Sequence, residues 1–160
     1  MVQISAFVDV DAPQDLVFAA ATAWEVQHEW IPLTRTRTTQ HDGRGVGGRF
    51  AAFTGVGRLG FDDPMIVTVW DPPHRCLTRK TGKIVKGSGC FEVSRTAQGL
   101  SRFTWTDWSP APFGTVGEAG ALLVRPALEA ALGAALRRFR TWVESGRAAE
   151  ALAEQGLEVG

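Results

Sequence analysis

Residues 41–50, HDGRGVGGRF, hold four glycines and two arginines, and such a loop can bind phosphate through its backbone N–H groups. That chemistry requires the loop to follow a buried strand and to open a helix, whose N-terminus adds donors and a favourable dipole. Neither condition is met. The glycines follow a polar, threonine-rich run at 34–40, and Arg49-Phe50-Ala51-Ala52-Phe53 then leads into a second glycine turn at 55–60, with no Gly-Lys-Ser/Thr. The segment reads as a hairpin turn, in which glycine supplies positive φ.

The other chemistry-bearing residues are sparse. His28, His41 and His74 share no metal-ligand spacing and read as solvated or structural, although His28 could face the mouth of a site. Cys76 and Cys90 form no CxxC, which argues against a zinc site or a disulfide framework. Asp62-Asp63 before Pro64 reads as a turn and not a cation site. There is no GxSxG nucleophile motif. No metal and no cofactor is expected. What remains is a pair of opposite charges, Arg79 and Asp107, whose relation depends on strand register.

The elements that would position them can be read from periodicity. Val2 to Val10 alternates as a strand. Pro13 opens a helix carrying Leu16, Val17, Ala20, Ala23 and Trp24, and a second short helix with Trp24, His28 and Trp30 stops at Pro32. Strands follow at 34–40, 48–53, 60–70, 75–81, 83–95 and 100–108, separated by glycine, Asp-Pro-Pro and Thr-Gly-Lys turns. Leu128, Leu132, Ala135, Leu136, Phe139, Trp142 and Val143 then recur at three and four, the stripe of an amphipathic helix that ends at Gly146. Pro126 either starts that helix or kinks it. This order predicts an α+β fold: a curved antiparallel sheet of about six to seven strands wrapped around a long C-terminal helix, with two short helices after the first strand. Residues 1–146 form one domain, and 147–160 form a tail that is frayed or adds one more helical turn.

Composition narrows the function. Lys+Arg and Asp+Glu both number 17, and a net charge of zero argues against nucleic acid as a partner. Arg137, Arg138 and Arg140 read as a solvated helix face. No signal peptide and no membrane span is recognised, so a cytoplasmic protein is expected. Six Trp and nine Phe stand against no Tyr, so large apolar rings are plentiful and no phenol is available for chemistry.

The chain resembles START-like helix-grip proteins of the polyketide cyclase/dehydrase and lipid-transport superfamily over residues 2 to about 145. The resemblance is carried by the order of DAPQDLVFAAAT, WIP, GRGVGGRF, VTVWDPPHRCL, GCFEVSRTAQGLSRFTW and RPALEAALGAALRRFRTWVES. It implies a helix closing over a curved sheet around an elongated apolar cavity. Members bind hydrophobic small molecules, and some catalyse cyclisation, dehydration or aromatisation of polyketides. No catalytic signature carries over.

Turn lengths give a trial register. If Thr81–Val85 forms a tight hairpin, Leu77 opposes Gly89 and Arg79 opposes Gly87; the next hairpin then sets Phe91 against Phe103, Gly89 against Trp105 and Gly87 against Asp107. Leu77, Arg79, Gly87, Gly89, Phe91, Val93, Phe103, Trp105 and Asp107 would share the buried face. Gly87 and Gly89 would open room for a ligand, bend the sheet, or both. Arg79 could reach across Gly87 to Asp107, roughly 9.6 Å away over two strand spacings, or both charges could lie solvated at the rim. Unpaired beside Trp105, Asp107 would be the candidate catalytic acid or base. The same register places Cys76 opposite Cys90 on the outer face, and a one-residue change would separate them.

The expected ligand-contacting set is Trp24, Trp30, Phe53, Leu77, Arg79, Gly87, Gly89, Phe91, Phe103, Trp105, Leu132 and Phe139. The expected partner is a hydrophobic or aromatic small molecule held between sheet and helix, and a homodimer is left open. Two alternatives stand beside binding: a polyketide cyclase/dehydratase-type enzyme using a cavity acid or base, and a protein-interaction module with a filled interior.

Overall fold

Alternation at Val2–Val10 forms β1 over those nine residues, and the threonine-rich run forms β2 at Thr34–Gln40. The structure is a computed structural model and describes residues 1–83, 85–110, 114–157 and 159. The remaining strands are β3 (Arg49–Val56), β4 (Leu59–Asp71), β5 (Arg75–Lys80), β6 (Ser88–Arg95) and β7 (Ser101–Ser109). They form one antiparallel sheet in the order β1-β7-β6-β5-β4-β3-β2. Strands β2 to β7 are a meander of successive neighbours, and β1 joins the β7 edge.

Between β1 and β2 lie α1 (Gln14–Ala21) and a 3₁₀ helix (Trp24–Glu29). Pro13 caps α1 with extended backbone, and Val17, Phe18, Ala20 and Ala21 are buried. The long helix α2 runs Gly114–Glu144 with Pro126 inside it, so the proline neither starts nor ends it. Lacking an N–H, Pro126 leaves the Leu122 carbonyl without its usual helical donor. The segment expected as a tail contains α3 (Arg147–Glu154), whose Ala148 and Leu152 are buried. Gly146 links the two helices in the left-handed region.

The register differs from the sequence expectation, and it moves the site residues. Across β5 and β6, Thr78 opposes Gly89 and Cys76 opposes Phe91, a shift of one residue. The connection at 81–87 is too long for the tight hairpin assumed; Ile84, at its expected tip, lies outside the described residues. Across β6 and β7, Gly89 opposes Asp107 and Phe91 opposes Trp105, a shift of two, which preserves the face. A one-residue slip exchanges the faces of a strand. Cys76, Thr78 and Lys80 therefore point inward from β5, and Leu77 and Arg79 point outward. Cys76 and Cys90 fall on opposite faces, both as free thiols.

The inner face is sealed at one end and hollow at the other. At the sealed end, Leu136, Phe139, Trp142 and Val143 of α2 pack with Val8, Val10, Val93 and Phe103. Trp30 sits at the junction, with Phe139 5.0 Å and Trp105 5.8 Å away between ring centroids. At the other end several facing residues are small, Ala52, Gly89, Ala131 and Ala135 among them, and a cavity remains. Among the described residues, α2 is the one helix whose length and composition would suffice to cross a membrane, with mean hydropathy 1.4 over part of Ala119–Glu144. One face of the C-terminal half of α2 packs into the core, while Arg137, Arg138 and Arg140 are exposed; Leu122, Leu123 and Val124 nearer its start are exposed as well.

Candidate functional site

The cavity has a volume of about 500 Å³, within the usual range for small-molecule sites. Trp24, Phe50, Phe91 and Trp105 supply its aromatic wall, and Leu128, Ala131, Leu132 and Ala135 of α2 supply its roof. The glycine-rich loop shapes that wall. Trp24 Nε1 donates to the Gly43 carbonyl at 2.8 Å, and the Trp24 ring stacks on Phe50 at 3.9 Å and 11°. A Cβ at Gly43 would stand 2.5 Å from the indole, and its φ is +67°. Here glycine admits the tryptophan and adopts a left-handed backbone. The loop opens no α-helix and continues into the sheet, with Gly47 N–H donating to the Val67 carbonyl at 2.9 Å.

One charged cluster interrupts the apolar lining. Lys80 Nζ lies 3.1 Å from Asp107 Oδ2 and 3.4 Å from Asp63 Oδ2. All three side chains are largely buried, at 11%, 16% and 12% exposure respectively. Lys80 belongs to β5, Asp63 to the neighbouring β4, and Asp107 to β7, beyond β6. Gly89 of β6 stands between Thr78 and Asp107 and adds no side chain: a Cβ there would be 3.1 Å from Thr78 Oγ1 and 3.7 Å from Asp107 Oδ2. Asp107 Oδ1 also accepts a hydrogen bond from Ser109 Oγ at 3.3 Å. Asp63 Oδ1 is buried without a hydrogen-bond partner among the described residues. Burial pushes the Asp63 carboxyl above its usual range; Lys80 opposes that rise and Asp107 adds to it. The chemistry available is that of a desolvated ammonium between two carboxylates, one of them inclined to hold a proton.

Of the residues selected from sequence, Trp24, Gly89, Phe91, Trp105, Leu132 and Asp107 line the cavity. Trp30, Phe103 and Phe139 are fully buried in the core beside it. Trp30 Nε1 has no partner among the described residues. Leu77 and Arg79 are on the outer face because of the register shift. Phe53 is also outside, beneath the Arg35 guanidinium at 5.3 Å, since Phe50, Ala52 and Thr54 take the inner positions of β3. Gly87 precedes β6 with φ +125° and abuts the Trp108 carbonyl; it is a backbone contact, not a lining residue. His28 is exposed, with Nδ1 3.2 Å from the Glu25 carbonyl.

Sequence reasoning missed Asp63 and Lys80. Asp62-Asp63 is not a turn: both lie within β4 on opposite faces. Asp62 faces out and accepts two 3.1 Å hydrogen bonds from Arg37, while Asp63 faces in. The signal was the alternation of Asp63, Met65 and Val67, hidden by Pro64, which reads as a turn residue.

Several solved structures share the fold. The crystal structure of DynU16, from the dynemicin biosynthetic locus, matches with TM-score 0.65 and 19% identity over 90% of this chain and 48% of that one. The di-domain ARO/CYC BexL from the BE-7585A biosynthetic pathway matches with TM-score 0.70 and 15% identity over 92% of this chain and 48% of that one. This chain thus spans about half the length of each. Protein NE0264 from Nitrosomonas europaea matches with TM-score 0.70 and 12% identity over 92% and 97% of the two chains. At these identities the likeness is one of fold. No curated protein matches the chain. Residues 1–144 match the family described as polyketide cyclase / dehydrase and lipid transport, and the chain belongs to that family.

Proposed function

We propose that the protein binds a hydrophobic or aromatic small molecule in the cavity between the sheet and α2. The observation that carries this reading is the 500 Å³ space itself, walled by aromatic rings and roofed by the N-terminal half of the stripe on α2. Affinity comes from burying the ligand's apolar surface, at roughly 25 cal/mol per Å² removed from water. The Asp63–Lys80–Asp107 cluster fixes orientation. An interaction module with a filled interior does not fit a cavity of this size.

The same cluster favours a second reading, an enzyme of the cyclase/dehydratase type. A flexible substrate would be folded by the walls, and a carboxyl of shifted proton affinity would move protons. Asp63, with Asp107 beside it, is the candidate acid or base.

Titration with the neutral fluorescent probe N-phenyl-1-naphthylamine tests the binding reading, together with native mass spectrometry of protein purified from its host. Saturable probe binding that is lost in Ala52→Phe, which fills the cavity from β3, supports it. Absence of probe binding to the wild type, or equal binding to the filled variant, would overturn it.

A further inference from the structure

The binding reading leaves the polar end of the ligand undefined, and the charge count at the cluster defines it. Lys80 is matched before any ligand enters: Asp107 Oδ2 lies at 3.1 Å and Asp63 Oδ2 at 3.4 Å. Two carboxylates and one ammonium sum to minus one, and protonation of Asp63 brings the sum to zero. Neither state has positive charge to offer an anion.

At the cluster the unmet demand is for hydrogen donors; the unpartnered donor Trp30 Nε1 belongs to the core and is not among the lining residues. Asp63 Oδ1 has no partner among the described residues, and a turn of the carboxyl about its Cβ–Cγ bond would present that oxygen to a ligand. Asp107 Oδ1 has a 3.3 Å contact from Ser109 Oγ and, with two lone pairs, can accept again. The neighbouring hydroxyl and amide donors are engaged elsewhere. Thr34 and Thr54 hydroxyls meet at 3.3 Å, Gln27 Nε2 donates to the Ala21 carbonyl at 3.4 Å, and Thr78 Oγ1 donates towards the Gly89 carbonyl at 3.4 Å. Among the described lining residues no other side chain carries a positive charge. Lys83 and Lys86, in the β5–β6 connection, are exposed, where water screens them.

We infer that the cavity selects apolar ligands whose head group donates hydrogen bonds, a hydroxyl or an ammonium, and rejects carboxylates on the same apolar body. This rests on the binding reading above. A carboxylate seated there would be a third anion beside two buried ones, whereas a donor would satisfy oxygens that burial has left short of partners.

Three probes with one ring system test it: 2-naphthylmethanol, 2-naphthylmethylammonium and 2-naphthoate. Binding is followed by the NMR shifts of the Trp24 and Trp105 indole N–H groups. The alcohol and the ammonium are expected to bind at least about tenfold more tightly than naphthoate. In the double variant Asp63→Asn/Asp107→Asn, which leaves Lys80 unmatched, naphthoate is expected to gain about tenfold. If that variant loses the native spectrum, Asp107→Asn alone, which keeps Asp63 for Lys80, must still show a naphthoate gain. Naphthoate binding the wild type as tightly as the alcohol overturns the inference, as does the absence of any gain in a folded variant. If N-phenyl-1-naphthylamine binds but the three probes show no preference, the head-group inference alone fails. If that dye does not bind either, the binding reading fails and takes the inference with it.

Discussion

Lys80 and Asp107 are joined at 3.1 Å across an intervening strand, where β6 sets Gly89 opposite Asp107 and the Gly87 carbonyl against the Lys80 N–H. Two strand spacings amount to roughly 9.6 Å, within reach of a lysine stem only if nothing stands in the way. The same ammonium turns to Asp63 on the other side, so a single cation holds three strands of the cavity floor in register.

Lys80→Met removes the charge that both buried carboxylates use. Breaking a buried ion pair by deleting one partner costs about 3 kcal/mol or more. Asp63 would then face Asp107 without the cation that opposes its rise, so its proton affinity in the folded state climbs further. Stability lost by this variant in urea unfolding is therefore expected to be smallest at acid pH and to grow as pH rises. An equal loss at all pH values would mean that packing of the lysine stem, and not its charge, supports the floor.

How far this site was legible can be traced residue by residue. Alternation in Val2–Val10 and the three-four stripe on α2 mark their elements directly, because each buries one face against the core. The idea of a cation reaching across a glycine to Asp107 was also available, but it named Arg79 and Gly87. The cation is Lys80 and the glycine opposite Asp107 is Gly89, since the 81–87 connection is not a tight turn and the registers moved by one and by two. Asp63 was hidden inside Asp-Asp-Pro, whose residue types signal a turn, although Pro64 sits within a thirteen-residue strand. The cavity itself has no linear signature: Ala52, Gly89 and Ala131 leave the space jointly and are far apart in the chain.

Asp63 gives a pH signature of its own. Its folded carboxyl lies above the reference value of 3.8, chiefly because burial penalises the charged form. The native state therefore binds the proton more readily than the unfolded state does. The stability this confers is fully present below pH 3.8 and is lost as pH rises through the folded value. Asp9 and Asp62 act in the opposite sense, since their hydrogen bonds to Arg102 and Arg37 lower their carboxyls; their contribution is lost as pH falls. Asp63→Asn isolates the first effect. Its stability relative to wild type is expected to rise with pH from below 3.8 and then level off. A pH-independent difference between the two proteins would contradict it.

The two thiols should be inert in the folded protein. Burial pushes Cys76 up to about 12 and Cys90 up to about 11, and only the thiolate reacts. Because they occupy opposite faces, they cannot be bridged without backbone movement. At pH 8, alkylation by iodoacetamide is expected to be slow for both and to become rapid in urea. Fast modification of native Cys76 would show that the cavity opens to solvent far more than its 1% exposure implies.

Gly89→Val tests the missing side chain on which the cavity depends. A Cβ alone would stand 3.7 Å from Asp107 Oδ2 and 3.1 Å from Thr78 Oγ1, which must give by a few tenths of an ångström. The two methyls of valine extend beside Thr78 and Asp107, so the floor of the cavity rises. Valine suits a strand better than glycine does, and that gain offsets part of the crowding. The variant is therefore expected to remain folded while its affinity for N-phenyl-1-naphthylamine falls by at least about tenfold. Gly89→Ala, which stops at the Cβ, should lose much less. Equal affinity in the valine variant and the wild type would mean that ligands sit away from the Gly89 row, nearer the rings of Trp24 and Phe50.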